Sequence, residues 1–157
     1  MTGWIRSRTV ALLSVFCLLS SLFPSMAQSS GENLIQNGGF EAPVSGGQIP
    51  GWGVWKPSGN SVVSIVTDVA HSGDQSAFIE NDSSDDRATL TQSVNVTAGQ
   101  SYLLQYWFKS QDVTVPSGGF MAVRMQFKDS NNNDTAPSIL IGNEQGTHDW
   151  TKVSKAV

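Results

Sequence analysis

Glu41, Glu80, Asp82, Asp85 and Asp86 are the residues whose types could do covalent chemistry, because two carboxyl groups about 5–9 Å apart can cleave a glycosidic bond. All lie in or beside polar, turn-rich stretches. None has the apolar setting that would hold one carboxyl protonated at neutral pH. His71 and His148 sit in polar turns with no third ligand type close by, a poor start for a metal site. Asp129, Asn131 and Asn133 are spaced like the opening of a calcium loop but lack its central Gly and final Glu, so a hairpin loop is expected. Catalysis by this segment is not expected.

Flat aromatics and planar polar groups offer a different chemistry. In Tyr102–Lys109, strand alternation puts Tyr102, Leu104, Tyr106 and Phe108 on one side, with Leu103, Gln105, Trp107 and Lys109 on the other. In Phe120–Lys128, Met121, Val123, Met125 and Phe127 share one face, opposite Arg124 and Gln126. Paired as antiparallel neighbours, the two runs would give one apolar face and one bearing Gln105, Trp107, Lys109, Arg124 and Gln126. That second face suits sugars, whose rings stack on indoles while amides and a guanidinium take the hydroxyls. Trp52 and Trp55, three apart, cannot share one face of a regular strand; Trp52 is expected in the core and Trp55 exposed, a further candidate carbohydrate-binding residue beside Trp107, Gln105, Arg124 and Gln126.

The surrounding chain must position these groups. Arg6 and Arg8 precede an apolar run from Val10 to Phe23, and Ser25-Met-Ala27 supplies small residues for cleavage, so residues 1–27 read as a secretory signal peptide and the protein as secreted. Cys17, the single cysteine, falls within that run, leaving no disulfide afterwards. Without Arg6 and Arg8, seven Lys and Arg stand against thirteen Asp and Glu, a net charge of −6. That balance excludes a basic nucleic-acid footprint and argues against anionic membranes. Residues 28–32 are a flexible lead-in, and residues 33–157 form one all-β domain of short strands.

Within it, Asn33–Glu41 is expected as a first strand, broken at Gly38-Gly39 so that Phe40 turns inward and Glu41 toward a neighbouring loop. Ser61–Thr67, apolar on both faces, is expected at the centre of a sheet. Gln92 shares the inner face of Arg87–Val96 and needs a buried hydrogen-bond partner.

Asn33-Leu-Ile-Gln-Asn-Gly-Gly-Phe-Glu41, Gly51-Trp52, His71-Ser-Gly-Asp-Gln-Ser-Ala77, Ala98-Gly-Gln-Ser-Tyr102 with Leu104 and Trp107, and Thr147-His-Asp-Trp150 occur in an order that resembles the carbohydrate-binding modules of families four, nine and twenty-two. The resemblance implies a jelly-roll β-sandwich of two antiparallel sheets that binds β-glucan or xylan and is itself non-catalytic. It implies a covalently linked hydrolase or lyase as partner, and a last strand that would lie beyond Val157. It also implies a structural calcium held by Glu41 with main-chain oxygens around Gly39, Gly73 and Gln75, incomplete here because the second carboxylate belongs to that last strand. Two alternatives stand beside it: glycosyl-bond hydrolysis by a catalytic domain beyond Val157, or a structural, adhesive sandwich that contacts a neighbouring domain.

Overall fold

A computed structural model describes residues 10–17, 31–142 and 144–157. Among them the regular structure is strand: β1 (Val10–Cys17), β2 (Gly53–Ser58), β3 (Val62–Val66), β4 (Ser76–Glu80), β5 (Arg87–Thr91), β6 (Leu103–Val113), β7 (Val123–Met125), β8 (Ile139–Ile141) and β9 (Gly146–Ala156). One layer is a five-stranded antiparallel sheet in the order β3-β4-β1-β6-β9. The other is built from two antiparallel ribbons, β2-β5 and β7-β8.

Alternation along β6 explains how the layers meet. Leu104, Tyr106, Phe108 and Ser110 are buried, and each intervening residue is more exposed. Leu104, Tyr106 and Phe108 form a core cluster with Ile141 of β8, against which Met121, Val123, Met125 and Ile139 pack. A second cluster of Phe40, Ile49 and Ala77 gathers Val63 and Ile65 from β3 and Leu90 from β5. Trp52 touches both clusters, its indole N–H donating to the Asn37 carbonyl at 3.1 Å, so it is the core residue expected of it. Tyr106 donates its hydroxyl to the Ile141 carbonyl at 2.8 Å. Burial, and then the Glu144 charge, push its pKa up to about 12.

Three expectations change. The runs containing β6 and β7 do present the apolar faces read from the sequence, but they are not sheet neighbours. β7 pairs with β8, and its apolar face lies across the core from β6. Both arrangements bury the same residues; packing face to face lets each apolar face cover the other. Secondly, β3 is an edge strand, with Val62 46% exposed, because only Val63 and Ile65 face the core. Thirdly, Asn33–Glu41 forms turns instead of a strand. Its positive φ values fall on Asn37 (49°) and Phe40 (62°), not on Gly38 or Gly39. Asn37 anchors that geometry: its Oδ1 accepts from Ala42 N at 3.0 Å and its Nδ2 donates to the Pro50 carbonyl at 2.8 Å. Phe40 is thereby fully buried.

Val10–Cys17, the apolar run of the expected leader, is described as the middle strand of the five-stranded sheet. Arg6, Arg8 and the expected cleavage residues Ser25–Ala27 lie outside the described residues.

Candidate functional site

The fold divides the sequence-predicted sugar face in two. Trp107 and Gln105 stand on the outer side of the five-stranded sheet, because their neighbours Tyr106 and Phe108 point into the core. Arg124 lies between Val123 and Met125, which pack inward, so it faces out from the second layer, paired with the exposed Leu140. Gln126, one step beyond β7, is exposed and alternates with the inward Met125. Trp55 pairs with Thr89, next to the inward Leu90, and so also faces out from the second layer. Trp55, Arg124 and Gln126 are therefore on one side of the sandwich, Trp107 and Gln105 on the other.

The outer face of the five-stranded sheet is occupied by its own side chains. His71, from the loop between β3 and β4, stacks on the Trp107 ring with centroids 3.8 Å apart and planes 19° apart. Trp150 of β9 meets the same imidazole edge-on at 5.5 Å. Gln105 donates to Ser154 Oγ at 3.1 Å, and Lys109 to Asp149 Oδ1 at 2.6 Å. That Lys109 hydrogen bond, with one from Trp150 N, holds the Asp149 carboxyl below its ordinary range. The groups that could bind a sugar here already bind one another. Neither His71 nor Trp150 carried a local signal of this cluster, since His71 reaches Trp107 from 36 positions earlier.

Trp55 is the contrasting case, 58% exposed on the β2-β5 ribbon. Gly53 and Thr91, paired one step along the same face, open into a groove of about 640 Å³ that is also lined by Gln36, Gln92 and Asn95. A Cβ at Gly53 would lie 2.8 Å from Thr91 Oγ1, so a larger residue there would push the Thr91 side chain aside. Its floor is set by Gln92, which accepts from Gln36 N at 2.7 Å and donates to the carbonyls of Gln36 (2.9 Å) and Gly51 (2.7 Å). Gln92 thus has partners, but it lies just past the end of β5 on an open groove and not buried on an inner strand face as expected. An exposed indole beside a groove rimmed with amides and hydroxyls can stack on a sugar ring and take its hydroxyls.

The carboxylates have structural work. Asp86 accepts from Asn60 N (2.7 Å), Asp82 N (2.8 Å) and Ser83 N (3.0 Å), and these bonds, Asn60's foremost, hold its pKa down. Asp129 accepts from Asn131 N and Asn133 N, both at 2.9 Å; the bonds from Asn133 lead in lowering its pKa, and Lys128–Asp134 closes this hairpin loop. A glycosidase acid needs the opposite shift. Glu41 does reach the loop expected of it, but Oε1 accepts from Asp74 N (3.1 Å) and Gln75 N (3.2 Å). It fills the space where Gly73, at φ 71°, has no Cβ. A calcium cage needs about six to eight oxygens. Here one carboxylate oxygen is turned to N–H donors, and the described residues hold no group of three His, Cys, Asp or Glu that could hold a metal. Glu41 as placed clamps this loop through Asp74 N and Gln75 N.

Two layers of antiparallel strands around a shared core, carrying an exposed indole beside a polar groove, define a β-sandwich of the ligand-binding kind. The chain matches the family described as carbohydrate binding domain, the modules of families four and nine, over residues 32–156, and it belongs to that family. No curated protein and no solved structure matches it.

Proposed function

We propose that this domain binds a polysaccharide of the β-glucan or xylan class on the outer side of its second layer, as the non-catalytic part of a secreted protein whose linked hydrolase or lyase it holds on the substrate. Family membership supports carbohydrate as the ligand. Trp55 is the stacking platform, and Arg124 and Gln126 on the same side take hydroxyls. The single observation that carries this reading is that Trp55 is 58% exposed whereas His71 already lies on the Trp107 ring. The test is affinity electrophoresis of the chain and of Trp55→Ala in gels cast with soluble xylan or mixed-linkage β-glucan. Retardation of the parent, lost in Trp55→Ala without a change in melting temperature, is the expected result. Equal retardation of the two would remove Trp55 from the site.

A further inference from the structure

We infer that the Trp55 face selects the acidic form of its polysaccharide: Arg87 binds the carboxylate of a uronic acid branch while an unsubstituted ring of the same chain stacks on Trp55. The inference deepens the reading of Trp55 as the stacking platform and rests on it.

Register places Arg87 beside that platform. Along β5, Arg87, Thr89 and Thr91 are exposed and alternate with the more buried Ala88 and Leu90, the latter packed on the core. Thr89 lies opposite Trp55, so Arg87, two positions along the same face, is the diagonal neighbour of the indole. Such diagonals stand about 7–8 Å apart, within reach of a long side chain. The extra residue between Trp55 and Ser58 belongs to β2 and leaves the alternation of β5 intact.

The guanidinium is open to a ligand. Among the described residues it makes no hydrogen bond or ion pair, whereas Lys109 is held by Asp149 and Lys128 by Asp134. Its neighbour Asp86 turns its carboxylate to the N–H groups of Asn60, Asp82 and Ser83. Arg124, the other arginine of residues 28–157, also faces out from this layer and is likewise unpaired among the described residues. Both guanidinium groups are thus uncompensated on the side that carries the open indole. Their forked donors match a carboxylate with two parallel hydrogen bonds, stronger than those to a hydroxyl. The rest of the surface sets how densely the ligand is charged. Thirteen Asp and Glu against nine Lys and Arg would repel a polymer charged at every ring, so the fitting ligand is a neutral backbone with occasional uronic acid branches, an acidic xylan.

The test compares the affinity of the full chain, by calorimetry at low salt, for glucuronoxylan and for the same polymer with its carboxyl groups reduced to alcohols. The acidic polymer should bind about tenfold more tightly, the low end for a hydrogen bond to a charged group. Salt at about 0.5 M should erase most of that preference. Arg87→Gln should bring the two affinities together, and Arg87→Lys should keep part of the difference. Lys152→Gln, which removes a charge opposite Trp107 on the other layer, should leave the difference whole. Arg87 and Lys152 are exposed, so the melting temperature should not move in these variants. Equal affinity of the parent for the two polymers, lost together in Trp55→Ala, would overturn the acid preference and leave the Trp55 site standing. Binding of neither polymer would overturn both. A preference that survives Arg87→Gln would overturn the role of Arg87, and tighter binding of polygalacturonate than of glucuronoxylan would overturn the sparsely charged ligand.

Discussion

Trp107 and Trp55 are both indoles on outward faces of strands, yet one is half-buried with a ring stacked on it and the other is open. Trp107 lies on β6 in the larger sheet, where the His71 ring covers it at 3.8 Å and Trp150 closes the cluster edge-on. Trp55 lies on a two-stranded ribbon beside Thr89, Gly53 and Thr91, whose small side chains leave it 58% exposed. The difference teaches that an outward position in a strand makes an aromatic available only if no loop folds back over it. The loop that carries His71 over Trp107 is held by Glu41, through Asp74 N and Gln75 N, so the stack is anchored by the fold.

The largest effect that would sharpen this contrast is on stability. Trp107→Ala should cost about 3 kcal/mol, the low end for truncating a packed Trp, visible as a lower urea midpoint, while the folded fraction keeps its retention on polysaccharide. Normal stability with lost retention would reverse the roles of the two indoles. Next in size, Trp55→Ala should weaken binding by about 1–3 kcal/mol, by analogy with stacking on nucleobases. That is roughly a five- to 150-fold rise in Kd by calorimetry, with the melting temperature unmoved.

Tyr106, on the core side of the strand that carries Trp107, adds a pH test. A phenol whose folded pKa is raised to about 12 contributes stability that is complete below its unfolded pKa near 10 and is lost as pH rises through the folded value. The melting temperature should therefore fall between about pH 10 and 12, and Tyr106→Phe should flatten that fall. A smaller effect belongs to Arg124→Ala, which should raise Kd by about fivefold, the loss of one hydrogen bond worth about 1 kcal/mol. If Arg124→Ala is silent while Gln105→Ala weakens binding, the site lies on the Trp107 side. Smallest of all is the response to calcium. Because Glu41 is turned to backbone N–H donors, melts in calcium and in chelator should coincide, and a rise with calcium would restore a cation to this loop.

Much of the fold was legible because burial follows alternation. The inward sets on β6 and β7, the inward turn of Phe40, the need of Gln92 for partners and the opposite fates of Trp52 and Trp55 were all readable from period and residue type. What alternation does not encode is which strand lies beside which. An apolar stripe is equally satisfied by a neighbour that extends it and by a layer that covers it, so β6 and β7 were read as a pair although they face each other across the core. For the same reason Arg124 and Gln126 read as sharing a sheet face with Trp107, although they face out from the other layer. The His71 stack was invisible for another reason: a ring brought over a sheet by a distant loop leaves no periodic trace.

The central claim is most directly tested by following the indole N–H resonances of the chain during titration with xylo- or gluco-oligosaccharide. Trp52, whose indole N–H is engaged by the Asn37 carbonyl, serves as an internal reference. The account predicts that the Trp55 indole signal shifts in a saturable way while those of Trp107 and Trp150 stay in place. A saturable shift at Trp107 or Trp150 with Trp55 unmoved would contradict it.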